Sequence, residues 1–147
     1  MSIEIPESSI EEWIIELKPY QRNSINQLLK SNEPNDVAKL WLTSHGAINT
    51  IPFGGIQDTN LFWKNFVYEF NKFICDESEY ENEKKDFGNE VPLTKTILIS
   101  VISAAIGAKL GFSATFVAPA VALSLFTVGK MTKNAYCATY YKGKSES

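Results

Sequence analysis

The chain has 147 residues, of which 44% are hydrophobic, 12% aromatic and 21% charged, a composition that excludes an intrinsically disordered protein and leaves room for one folded domain. The net charge of −3 conceals a division: residues 1–92 carry 16 acidic and 8 basic side chains, whereas residues 93–147 carry six lysines and one glutamate. The acidic N-terminal part and the single arginine argue against nucleic acid as a partner, because a phosphate backbone is bound by clustered Lys and Arg.

Helical periodicity begins close to the N-terminus. Ser8 and Ser9 each precede a glutamate by three positions, which is the signature of a capping box, and apolar residues then follow at helical spacing up to residue 17. Pro19 ends this helix and suits the first position of a second one. A third helix is predicted after the SNEP loop at residues 31–34, with Gly46 placed to end it.

An irregular loop is predicted over residues 47–58, where prolines and glycines interrupt the helical pattern. Asp58 is a candidate N-cap for a fourth helix with an aromatic stripe, formed by Phe62, Phe66, Phe70 and Phe73. We interpret this stripe as core packing in preference to a ligand pocket, because a buried face is the usual reason for such spacing.

A charged short helix is predicted next, over residues 76–88, with Asp76 as its cap and Gly88 as its end. Its acidic side chains lack the spacing of a calcium loop, so we interpret them as a solvated surface that suits a basic partner. The candidate partner-binding residues on this surface are Glu77, Glu79, Glu81 and Glu83.

The C-terminal part changes character, because Lys109 is the only charged residue between Thr96 and Gly129. The run divides at KLGFS, residues 109–113, and predicts a helical hairpin whose first arm covers residues 96–108. Since proline suits the first turn of a helix, Pro119 predicts that the second helix begins near Ala118, and we expect it to continue to about residue 141.

Two rows of small residues would let the arms of this hairpin approach each other closely. They are Ser103, Gly107 and Gly111 in the first arm and Ala114, Ala118 and Ala122 in the second.

The hairpin has two interpretations, a protein core or a membrane insertion. Residues 111–129 form a stretch of 19 residues without a charge, and lysines follow it, as in a transmembrane segment with a cytoplasmic flank. The first arm, however, would span roughly 20 Å as a helix, which is short of the ~30 Å hydrocarbon layer. Four upstream amphipathic helices also need an apolar surface to cover them. We therefore favour the core, with membrane insertion through residues 96–129 as the alternative.

No residue pattern predicts a catalytic, cofactor or metal site. His45 is the only histidine, and a role as a metal ligand, or as a base beside Cys75 or Cys137, has no supporting motif, so we interpret it as a helix-end residue. The PFGGI loop at residues 52–56 lacks the ending of a P-loop. We interpret the two cysteines as separate, small buried hydrophobes in a reducing cytosol, because their 62-residue spacing gives no reason to propose a disulfide, although it does not exclude one.

The sequence therefore predicts an all-α single domain over residues 1–147, a compact bundle of about six helices. Acidic amphipathic helices (1–92) would surround an apolar hairpin (93–141), with a tail at 142–147. The predicted function is that of a small cytoplasmic, non-enzymatic interaction or accessory protein, which binds a larger protein partner without a cofactor. The alternative is a membrane-inserting effector or membrane-anchored regulatory protein whose N-terminal part stays in the cytoplasm.

Overall fold

The computed structural model describes residues 5–45, 59–75, 80–84 and 94–146. Within these ranges the protein is all-helical, as predicted, and contains no strand. The elements are α1 (Ile10–Ile14), α2 (Pro19–Leu29), α3 (Pro34–His45), α4 (Thr59–Cys75), α5 (Lys95–Leu110), α6 (Ala114–Met131) and α7 (Lys133–Glu146), with a helical turn over residues 81–84. The predictions made for the loop 47–58 and for Gly46, Asp58, Asp76 and Gly88 lie outside the described residues.

The first two helices begin where the sequence predicts. Ser9 is the N-cap of α1, and its hydroxyl accepts a hydrogen bond from the backbone N–H of Glu12 at 3.4 Å. Helix α1 ends at Ile14, before the apolar pattern ends at Leu17, and is therefore shorter than predicted. Pro19 is the first residue of α2, where its missing N–H costs no helical hydrogen bond.

The break between the apolar helices also falls where the sequence predicts, at residues 109–113. Gly111 ends α5 with φ +82°, a left-handed conformation that glycine adopts without steric cost. The Ser113 hydroxyl then accepts a hydrogen bond from the N–H of Phe116 at 3.1 Å and caps α6. The first arm extends over 16 residues, from Lys95 to Leu110, and is longer than predicted.

The predicted start of the second arm near Ala118 is wrong, because α6 begins at Ala114 and Pro119 lies inside it. A proline at position 119 leaves the carbonyl of Thr115 without its helical N–H partner. The side chain of Gln21 replaces that partner, since Nε2 donates to Thr115 O at 2.8 Å. The indole Nε1 of Trp41 similarly donates to the next carbonyl, Phe116 O, at 2.8 Å.

The predicted end of the second arm near residue 141 is also wrong. Helix α6 ends at Met131, and Thr132 takes a φ of +77° that breaks the helix. The hydroxyl of Thr132 accepts a hydrogen bond from the N–H of Ala135 at 3.3 Å, which caps the start of α7. The C-terminal residues therefore form a separate helix that changes direction after α6.

Helix α6 packs more extensively than α5. Its main neighbours are α1, α3, α5 and α7, whereas the main neighbours of α5 are α6 and α4. One continuous apolar core includes side chains from all seven labelled helices. At the end of α6, a Cβ on Gly129 would lie 2.6 Å from the backbone oxygen of Pro6, so glycine here lets the N-terminal segment lie directly on the helix.

Gly107 and Gly111 of the first small-residue row serve the turn between the arms. A Cβ on Gly107 would lie 2.6 Å from Phe112 O, and the N–H groups of Gly111 and Phe112 both donate to Gly107 O, at 2.8 and 2.9 Å. Ser103 of the first row and Ala114 and Ala118 of the second row line one groove at the contact between the arms.

Among the described helices, α6 is the one that length and composition would allow to cross a membrane, with a mean hydropathy of 1.5 over 18 residues. Of this segment, 56% is buried inside the protein. A core helix of a soluble protein has the same properties, so the sequence of α6 does not by itself distinguish the two interpretations.

Candidate protein-binding site

A groove of about 780 Å³ lies between α5 and the turn at residues 80–84. We call it the α5 groove. Its floor is the outer face of α5, and its wall carries two of the predicted glutamates. The lining residues are Tyr80, Glu81, Asn82, Glu83, Ser100, Val101, Ala104, Ala105, Ala108 and Lys109.

The wall of the α5 groove is fixed to α4 by two side chains. The hydroxyl of Tyr80 donates to Glu69 Oε1 at 2.5 Å, and the Tyr80 ring lies 4.9 Å from that of Phe73. Lys84 is 4% exposed and places its Nζ 5.5 Å from the centroid of the Phe73 ring. These contacts hold Tyr80 in a left-handed conformation, φ +58°, and position the intervening glutamates beside the groove.

The floor of the α5 groove is an exposed helical face without charge. Ser100, Ala104 and Ala108 line the groove at four-residue intervals, and all three are exposed. The opposite face of α5 is buried against α6 and α4. A solvated helix face normally carries charged side chains, so a row of small residues in this position is unusual.

The structure describes two of the four predicted partner-binding glutamates. Glu81 is exposed, Glu83 is half-buried, and both line the α5 groove. Glu77 and Glu79 lie outside the described residues. Lys109 stands on the floor side of the same groove with its Nζ 5.9 Å from the Tyr80 ring, so the groove presents charges of both signs.

The interpretation of the two cysteines as separate buried thiols is wrong. Cys75, at the end of α4, and Cys137, in α7, form a disulfide with an S–S distance of 2.08 Å and a Cα–Cα distance of 5.5 Å. The pairing arises because α7 packs back along α4, which a spacing of 62 residues does not reveal. In this form neither sulfur is a thiolate, so neither can serve as a nucleophile or a metal ligand.

The side chain of His45 lies outside the described part of the chain, although its backbone ends α3. Over the described residues, no group of three or more His, Cys, Asp or Glu side chains could hold a metal ion.

Sequence reasoning identified the acidic wall of the groove but missed its floor. The signal was present as the uncharged four-residue repeat of Ser100, Ala104 and Ala108, but an apolar helix offers no indication of which face its neighbours cover. Comparisons of the chain with protein-family models, with curated proteins and with solved structures find no match.

Proposed function

We propose that this protein is a small, non-enzymatic helical accessory protein that binds a helical segment of a larger protein in the α5 groove. The observation that carries the proposal is the exposed, uncharged face of α5 beside Glu81 and Glu83. In this proposal the chain is a compact bundle centred on the α5–α6 hairpin, it acts in the cytoplasm, and the binding surface includes Glu77 and Glu79.

A helix is the partner that fits this floor best. Small side chains on one helix let the backbone of a second helix approach closely, and the two then pack over several turns. The row from Ser100 to Ala108 covers slightly more than two turns, which corresponds to roughly 12 Å of helix. Amphipathic helices that bind in grooves use a contact face of similar length.

Charge complementarity defines the partner further. Glu81 and Glu83 favour a Lys or Arg on the side of the partner helix that faces the turn, whereas Lys109 favours an acidic residue toward the end of α5. Partly exposed pairs of this kind contribute little to affinity, but they select the orientation of the partner and accelerate association.

Site-specific crosslinking tests the proposal in the cells from which the protein comes. A photo-crosslinking amino acid at Ala104 should give an adduct of one defined mass, whereas the same amino acid at Asn26, exposed on α2, should not. An adduct that forms equally from both positions, or from neither, would contradict the proposal.

Charge reversal then tests the acidic wall. Glu81→Lys with Glu83→Lys should reduce the Ala104 adduct at least fivefold, since two attractive contacts become repulsive. The matched control reverses Glu7 and Glu33, which are exposed elsewhere and change the net charge equally. Adding Glu77→Lys and Glu79→Lys should reduce the adduct further. An undiminished adduct in the four-residue variant would remove the acidic surface from the proposal.

A second candidate function, membrane insertion by an effector or an anchored regulatory protein, is favoured by the length and hydropathy of α6. Sedimentation with vesicles of phosphatidylcholine and phosphatidylglycerol distinguishes the two. The accessory-protein proposal expects the chain to stay in the supernatant, because α6 already packs against four helices. Pelleting that resists high salt, together with release of a trapped dye, would favour insertion.

A further inference from the structure

A second cavity lies on the other side of α4, between α3, α4, α6 and α7, and encloses about 350 Å³. We call it the aromatic pocket. Helix α4 contributes Trp63, Phe66 and Phe70, α7 contributes Tyr136, and α6 contributes Ser124 and Thr127. The sequence predicts the aromatic stripe as core packing. Two of its rings, Phe66 and Phe70, also border this open volume.

The rings of the aromatic pocket form two neighbouring pairs. Trp63 and Phe66 stack with centroids 5.7 Å apart and an interplanar angle of 19°. Phe70 and Tyr136 lie 6.4 Å apart at 33°. Phe66 and Phe70 are each 1% exposed, so their positions are fixed by the surrounding core. A pocket with fixed aromatic walls favours a flat, aromatic occupant, whose ring can add to such pairs.

The polar groups of the aromatic pocket leave unused hydrogen-bonding capacity. Ser124 is 7% exposed and lines the open volume, where its hydroxyl can both donate and accept. The hydroxyl of Thr127 donates to Leu123 O at 3.1 Å, and that of Tyr136 donates to Asn71 Oδ1, so both oxygens can still accept. A ligand in the pocket can therefore form a hydrogen bond to the Ser124 hydroxyl in place of solvent.

We propose that the aromatic pocket binds a small planar aromatic molecule that carries one hydrogen-bonding group, with the rings between the α4 and α7 side chains and the polar group at Ser124. The volume is near the lower end of the range of about 300–1,000 Å³ found for small-molecule sites, which suits one or two fused rings. This inference does not depend on the α5 groove, because the two cavities share no lining residue.

Two probes of the same shape test the inference, 2-naphthol and naphthalene. Equilibrium dialysis with the oxidised full-length protein should show saturable binding of 2-naphthol at one site, and naphthalene should bind roughly three- to tenfold more weakly because it cannot bond to Ser124. Ser124→Ala should abolish this difference without weakening naphthalene. Absence of saturable 2-naphthol binding in the unmodified protein would overturn the proposal, as would an unchanged preference in the Ser124→Ala variant.

A filling substitution locates the site. Val67 lines the aromatic pocket and is half-buried, so Val67→Phe should reduce the binding of both probes at least tenfold. Asn65→Phe is the matched control, because Asn65 is exposed on the same helix and does not line the pocket. Equal binding by the two variants would overturn the assignment to this pocket. If Val67→Phe fails to fold, which circular dichroism would show, the comparison of the two probes in the Ser124→Ala variant decides.

Discussion

The two apolar helices of the hairpin have similar compositions but different surroundings. Helix α6 packs mainly against α1, α3, α5 and α7, and every residue from Ala120 to Leu125 is buried. Helix α5 packs mainly against α4 and α6 and leaves a row of small residues exposed along the α5 groove. The composition of a helix therefore predicts how apolar its surroundings are on average. Which face of the helix stays exposed depends on how its neighbours pack.

The backbones of the two helices differ in the same way. Helix α5 is completed by local chemistry, with the Thr94 hydroxyl at its start and Gly111 at its end. Helix α6 contains a proline, and the carbonyl that it frees, that of Thr115, receives a hydrogen bond from Gln21, 94 residues away, while Trp41, 75 residues away, bonds to the next carbonyl. The more deeply buried helix therefore depends on distant parts of the chain.

The largest expected effect comes from the same substitution placed in each helix. Ala122 is 0% exposed in α6, so Ala122→Asp buries a carboxylate without a partner and should lower the free energy of unfolding by roughly 3–5 kcal/mol. Ala104→Asp, on the exposed face of α5, should change it by less than about 1 kcal/mol. Urea unfolding of both variants measures the difference, and equal losses would contradict the contrast between the helices.

The next effect concerns the disulfide, which ties α7 to α4 while α7 packs against α6. Replacing Cys75 and Cys137 by alanine should lower the free energy of unfolding by about 2–4 kcal/mol, since the unfolded chain is then less restricted. Thermal unfolding of this variant, and of the native chain with and without dithiothreitol, measures the loss. Stability that is unaffected by both changes would show that α7 covers α6 without help from the disulfide.

The same cysteine pair tests the predicted cytoplasmic location. Alkylation of freshly lysed cells of origin should trap Cys75 and Cys137 as free thiols if the protein resides in a reducing cytosol, where disulfides are rare. A trapped disulfide would contradict that prediction and would favour an oxidising compartment.

A smaller effect is expected where Gln21 compensates for Pro119. Gln21→Leu should cost about 1–3 kcal/mol, because the carbonyl of Thr115 loses its donor. In a Pro119→Ala background the restored N–H can bond to that carbonyl, so the same substitution should cost roughly 1 kcal/mol less. Asn26→Leu on the exposed face of α2 is the control. Additive effects in the double variant would mean that Gln21 acts independently of the proline.

The last prediction concerns Tyr136 and has no effect on stability at neutral pH. Burial raises the pKa of the Tyr136 phenol to about 12, against an ordinary value of 10.0. As the pH rises, the unfolded chain releases the Tyr136 proton at a lower pH than the folded chain does. The contribution of the protonated phenol to stability is therefore complete below pH 10 and is lost between about pH 10 and 12. Absorbance at 295 nm should show a late-titrating component that Tyr136→Phe removes. Titration of all tyrosines near pH 10 in the folded protein would contradict the burial of Tyr136 against Phe70.

The features that the sequence predicts correctly depend on residues close together in the chain. Ser9 caps α1, Pro19 begins α2, and Gly111 with Ser113 marks the break between the apolar helices, because each acts on backbone groups within a few residues. The charge run that contains Glu81 and Glu83 is also visible locally, and its role in binding a partner stays a prediction.

The features that the sequence misses depend on contacts between distant residues. Pro119 lies inside a helix, where Gln21 supplies the carbonyl of Thr115 with a hydrogen bond that no local rule anticipates. Cys75 and Cys137 pair because α7 turns back after Thr132, whose positive φ is unusual for a β-branched residue. The floor of the α5 groove was missed for the same reason, since exposure of Ala104 depends on where α4 and α6 pack.

The position of α6 in the chain has a consequence for biosynthesis. Trp13, Ile25, Val37 and Leu42 are buried in the same core as α6, yet the ribosome makes them long before that helix. A growing chain therefore carries amphipathic helices whose apolar faces have no surface to pack against until residues 114–131 have emerged. Such exposed apolar surface promotes association between incomplete chains. Chains released before residue 114 should consequently aggregate, so these helices acquire their fold only after the second apolar helix has been made.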